Sequence, residues 1–207
     1  MIRTKEEAEA QLPTTLLNSF YEIVDSAWGE YERDYRETRG NHRQGTQATV
    51  LHDLMGKHAQ ARLDGIQNVA VISQTQTVLV NVNDDWLIKF RKLRKGTLTT
   101  AANRTLFSDE FLGQHPLQLP LLREPTHLVV GYVLNRTKSG MQSVHVVCPM
   151  GRKRRMWDFE ILPPAAAAQR PIPIAVPPTG PRVAPKIINP DVSKEAENNR
   201  SHDAGTG

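Results

Sequence analysis

"NVAVISQTQTVLVNVNDDWLIKFRKLRKG", residues 68–96, is where the chain changes rhythm, and that change decides the fold. Within it "VAVIS" (Val69–Ser73), "TVLVNVN" (Thr77–Asn83) and "DWLIKFRKL" (Asp85–Leu93) alternate in side-chain character with a period of two, which predicts three successive strands. The link "NDD" has the Asn and Asp chemistry of a tight turn. Upstream the period is 3.6. Leu16, Leu17, Phe20, Ile23, Val24, Ala27, Trp28, Tyr31 and Tyr35 recur at three- and four-residue steps, predicting a helix across Pro13–Arg39 with its aromatics in the core. Val50, Leu51, Leu54, Met55, His58 and Leu63 predict a second helix from about Thr46 to Leu63. The polar link "RGNHRQGTQ" between them is short, which favours an antiparallel helical hairpin.

Working outward, "HLVVGYVLN" and "MQSVHVVCP" flank the loop "RTKSG" as a second hairpin, and "MWDFEIL" adds an edge strand. Lys95–Thr126 reads as irregular, with a short helix around Ala101–Phe111. Helices that precede strands, rather than alternate with them, predict an α+β domain: an N-terminal helical hairpin packed on a five- to six-stranded, mainly antiparallel sheet.

Composition bounds the rest. Residues 1–12, "MIRTKEEAEAQL", are charged and have no apolar run of a signal peptide, and they read as a flexible N-terminus. The single domain spans residues 13–162. Nine of the fourteen prolines fall between Pro163 and Pro190, and the polar stretch after them lacks aromatics, so residues 163–207 read as a proline-rich disordered tail. No apolar run approaches the ~20 residues of a membrane span, and the default location is the cytoplasm. A single cysteine, Cys148, leaves no disulfide framework.

Net charge is +4, and the tail contributes five cations against four anions. The basic surplus is therefore local, at Lys89–Lys95 and Arg152–Arg155. Strand alternation sends Trp86, Ile88 and Phe90 to one face and Leu87, Lys89, Arg91 and Leu93 to the other. Lys89 and Arg91 would then share a polar face with Asn81 and Asn83, extended by Lys92, Arg94 and Lys95. Arg152, Lys153, Arg154 and Arg155 sit in a turn after the last hairpin. These nine residues form the candidate surface for nucleic acid or a partner protein, having the donors that phosphates need. The alternative is a solvated sheet face with lysines guarding an edge.

Catalytic patterns are weaker. His52 and His58 are six apart rather than four, and His42, His115, His127 and His145 are scattered, so no metal site or cofactor is predicted. Asp84, Asp85 and Lys89 are the nearest match to a metal-dependent nuclease, but the acidic-x-Lys triplet is absent. Cys148 precedes a proline within a strand and reads as a small buried hydrophobe. An enzyme is the less favoured reading.

Three segments taken in order, "RQGTQATVLHDLM", "WLIKFRKL" and "HLVVGYVLN…MQSVHVVCPMGRKRRMWDFEI", resemble a family of largely uncharacterised bacterial proteins. Members are often encoded beside a helix-turn-helix regulator fused to a zinc-peptidase-like domain. The resemblance implies a two-gene toxin–antitoxin or phage-defence module in which this chain is the non-peptidase member, either an effector or its neutralising partner. It brings no catalytic residues. The expectation is a non-catalytic interaction component; the alternatives are a free-standing nucleic-acid-binding module and a metal-dependent nuclease.

Overall fold

The computed structural model describes residues 2–74, 77–100, 105–119 and 123–164. Most of the expected tail, from residue 165, lies outside them.

The chain begins with a helix where a flexible leader was expected. Helix α1 (Lys5–Gln11) is closed by a capping box, in which the Glu7 amide donates to Thr4 Oγ1 (3.3 Å) and the Thr4 amide donates to Glu7 Oε2 (2.7 Å). Its Ala8 and the following Leu12 stand four apart, so both reach the core, at 0% and 1% exposed. Arg3 ties the segment down: its amide donates to Thr126 Oγ1 (3.0 Å), its carbonyl accepts from Trp157 Nε1 (3.1 Å), and its guanidinium pairs with Asp85. Residues 3–12 therefore belong to the domain.

Helix α2 (Thr14–Asp34) buries Leu16, Phe20, Ile23, Val24, Ala27 and Tyr31, the stripe read from sequence. It stops before Arg39, and a short 3-10 turn (Arg39–Asn41) leads to helix α3 (Gln44–Leu63). The link is pinned by Tyr31 Oη, 2.9 Å from His42 Nδ1. Helix α3 buries Leu51, Met55, Ala59 and Leu63. Gly56 lets it approach the sheet, because a Cβ there would lie 2.9 Å from Val78 Cγ2.

Six strands follow: β1 (Val69–Gln74), β2 (Thr77–Val82), β3 (Trp86–Lys92), β4 (Thr126–Leu134), β5 (Met141–Pro149) and β6 (Arg155–Ile161). They lie in the order β1-β2-β3-β4-β5-β6. Every neighbouring pair is antiparallel except β3 and β4, which run parallel with Lys89 opposite Val129 and Arg91 opposite Gly131. The molecule is thus α+β with a mixed, mostly antiparallel sheet. No helix among the described residues is long and apolar enough to cross a membrane.

The parallel pair matters for the second face of the sheet. A hairpin can join antiparallel strands, but a parallel pair needs a crossover. Residues 93–125 supply it, with helix α4 (Leu106–Leu112) inside it. Thr105 caps α4, accepting from the Ser108 amide (3.1 Å). One face of the sheet packs on α1, α2 and α3 through Val80, Val82, Trp86, Ile88, Phe90, Leu128, Val130, Val144, Val146 and Cys148. The other carries a second core of Leu79, Leu87, Leu93, Phe111, Leu112, Val129, Val133 and Val147. That face is roofed by the crossover, not solvated as the sequence suggested, because the return from β3 to β4 must pass over it.

Candidate functional site

The expected basic sheet face is broken up by this roof. Lys89 points to the predicted face but is 3% exposed, with Phe107 and Phe111 of α4 over its ammonium at 4.9 and 5.5 Å. Burial, and secondarily the Arg91 charge, push its pKa down to about 7. A lysine enclosed by aromatic rings cannot reach a phosphate chain, so Lys89 leaves the candidate surface. Arg91 is half-buried; burial lowers its pKa, and its Nε has no hydrogen-bond partner among the described residues. Lys92 follows Phe90 to the opposite face, half-buried and also lowered by burial and then by Lys138.

Arg94 and Lys95 do reach solvent. They begin a turn closed by the Arg94 amide to the Thr99 carbonyl (2.9 Å) and the Leu98 amide to the Arg94 carbonyl (2.9 Å). Gly96 supplies the left-handed φ of 85° that the turn requires. In the second cluster Arg152 pairs with Asp109 of α4. Arg155 pairs with Asp158 and donates from Nη1 to the Thr97 carbonyl. The loop between β5 and β6 is closed by the Met150 amide to the Arg154 carbonyl (2.9 Å) and docked by the Gly151 amide on the Leu112 carbonyl (2.6 Å). Lys153 and Arg154 stay exposed.

Two cation runs nearly sixty residues apart in sequence are therefore fastened side by side, with |i−j| of 58 for the Arg155–Thr97 contact. The bond uses Arg155, and Arg152 is held by Asp109. What remains for a ligand is an exposed quartet: Arg94, Lys95, Lys153 and Arg154. The carboxylates that engage the other two arginines gave no motif, so sequence alone did not separate structural from free cations.

Next to the loop lies a feature that residue spacing missed. His127, at the start of β4, is 3% exposed, and its ring stacks on Phe111 (4.7 Å between centroids, 13° between planes). Its Nδ1 lies 2.9 Å from the Phe111 carbonyl. Gln114 clamps its backbone, accepting from the His127 amide (2.8 Å) and donating to the His127 carbonyl (2.8 Å) and the Pro149 carbonyl (3.2 Å). Gln114 itself sits at φ 60°, where a helix C-terminus normally places glycine. His127 lines a cavity of about 320 Å³ that also includes His115 and Glu124.

The residues weighed for nuclease chemistry are occupied differently. Asp85 pairs with Arg3 and lies 3.8 Å from Arg123, while Asp84 accepts from Asn81 Nδ2 (2.5 Å). Among the described residues, no three His, Cys, Asp or Glu side chains come together to hold a metal ion. Cys148 is buried on the helical side of the sheet, and burial pushes its thiol up to about 12, so it packs as a hydrophobe. No protein-family model, curated protein or solved structure matches this chain.

Proposed function

We propose that the protein is a non-catalytic binding component that grips the phosphate backbone of a nucleic acid with Arg94, Lys95, Lys153 and Arg154. The resemblance described above supplies its setting, a two-gene toxin–antitoxin or phage-defence module with a helix-turn-helix/zinc-peptidase-like protein as partner. One observation carries the binding reading: the Arg155–Thr97 bond, backed by Arg152–Asp109, holds two exposed basic turns together. Cations on tethered turns lose less freedom on binding than cations on free loops. Arginine forks and lysine ammonium groups are the donors that phosphate oxygens take.

A salt titration tests the reading, using the full chain with duplex DNA, single-stranded DNA and RNA. Four phosphate contacts give a slope of log affinity against log salt of roughly −3 to −4. Replacing Arg94, Lys95, Lys153 and Arg154 together by alanine is expected to abolish that slope and leave the fold intact. An unchanged slope would remove the quartet from the site. Absence of wild-type binding at low salt, together with a co-expressed partner that releases the quadruple variant, would assign the same surface to protein docking.

A further inference from the structure

The cavity lined by His127 has a chemistry the phosphate contacts do not use. The Phe111 carbonyl can only accept, so His127 Nδ1 must be the donor at 2.9 Å. Burial lowers the pKa of this imidazole, which keeps it neutral, and its Nε2 is then left with a lone pair. That nitrogen has no hydrogen-bond partner among the described residues. The ring cannot turn away, being stacked on Phe111 and held through its backbone by Gln114. The result is a fixed hydrogen-bond acceptor on a residue that lines a cavity of about 320 Å³. Pro116, Leu117 and Leu119 supply apolar patches in a lining that is mostly polar, where Glu124 and Arg123 add a second acceptor and a cation.

We propose that this cavity seats a single unpaired nucleobase, whose amino or ring N–H group donates to His127 Nε2. The volume is at the small end of ligand pockets, suited to a flat ring rather than a larger ligand. The apolar patches of Pro116, Leu117 and Leu119 can cover a face of a base while the acceptor reads its edge, the manner in which single-stranded bases are held when splayed from their neighbours. Position supports the same occupant. Gln114 bonds the Pro149 carbonyl, and Gly151 bonds the Leu112 carbonyl, so the cavity lining and the basic loop are built from one bonded unit. A strand lying on Lys153 and Arg154 can therefore drop a base beside them. This inference rests on the phosphate-binding reading above.

The test compares a short deoxyadenylate strand with an abasic strand of equal length, binding the full chain at low salt. Wild type is expected to bind the abasic strand about tenfold more weakly. His127→Phe removes the acceptor, and Leu117→Trp adds bulk to the cavity from a half-buried lining position. Either variant should close the gap by weakening only the base-containing strand. In a spectrum of 15N-labelled histidine, the His127 Nε2 signal should move with the deoxyadenylate strand and not with the abasic one. Equal binding of the two strands by wild type overturns the base seat and leaves the phosphate surface standing. If neither strand binds, the phosphate-binding reading fails first and the base seat falls with it.

Discussion

Lys89 shows what a single residue gains and loses when a sheet face is roofed. Its ammonium lies over two aromatic rings, a favourable contact, but no carboxylate among the described residues is within ion-pair distance. Desolvation wins, as its lowered pKa of about 7 records. An unfolded lysine titrates near ~10.4. Between these values the unfolded chain binds the extra proton, so this residue makes stability rise with pH across that window. Lys89→Met should therefore be more stable than wild type at pH 6.5, and its advantage should shrink by about 2–3 kcal/mol by pH 9. Urea unfolding of both proteins at the two pH values measures this, and a constant difference would refute the buried charge. Gly131 makes a steric argument at the same scale. A Cβ there would lie 2.4 Å from Leu93 Cγ and 2.8 Å from the Arg91 carbonyl. Gly131→Ala is expected to cost about 1–3 kcal/mol. Combined with Leu93→Ala the losses should be sub-additive, with a coupling of about 1 kcal/mol in a double-mutant cycle.

Helix α4 is the element on which both candidate features depend. It roofs Lys89, pairs Asp109 with Arg152, and is followed two residues on by Gln114, which holds β4 and β5. A glutamine at φ 60° carries a backbone cost of roughly 1 kcal/mol that glycine would avoid. It is kept there by side-chain bonds to two strands. Gln114→Gly should lose the clamp but relieve the backbone, whereas Gln114→Ala loses the clamp and keeps the strain. Alanine is therefore expected to be the more destabilising by about 1 kcal/mol. Both variants should speed hydrogen exchange of the His127 amide, whose acceptor is the Gln114 side chain. Equal stabilities of the two variants would mean that the left-handed conformation relaxes.

For the whole molecule, the sheet separates two cores, and the helices and the crossover cover one face each. Among the described residues, the buried hydrophobic residues of those cores lie between Ala8 and Ile161. A chain ending at Pro164 should accordingly unfold in urea with the midpoint and slope of the full chain, since the slope follows the surface exposed. A lower midpoint would show that later residues add to the core. The same two-sided construction explains the charge distribution. A roofed sheet offers no open face to a polyanion, and of the nine candidate cations the four that stay exposed, Arg94, Lys95, Lys153 and Arg154, lie in turns at its margin.

Periodicity was sufficient for what is local. The stripe from Leu16 to Tyr31, the alternation in β2 and β3, and the hairpin of β4 and β5 were all legible, because side chains return to the same face every 3.6 or 2 residues within one element. His145, between Val144 and Val146 in β5, lies on the other face from those core valines. Helix α1 was missed although Thr4 and Glu7 spelled its cap, since seven residues offer too little periodicity to outweigh their charge. The pairing of β3 with β4 was not legible. No local pattern says that β3 lies parallel to β4, yet that pairing forces the crossover, buries Lys89 and joins Arg155 to Thr97. Such contacts join residues far apart in the chain, and their free energy exists only once both partners are in place.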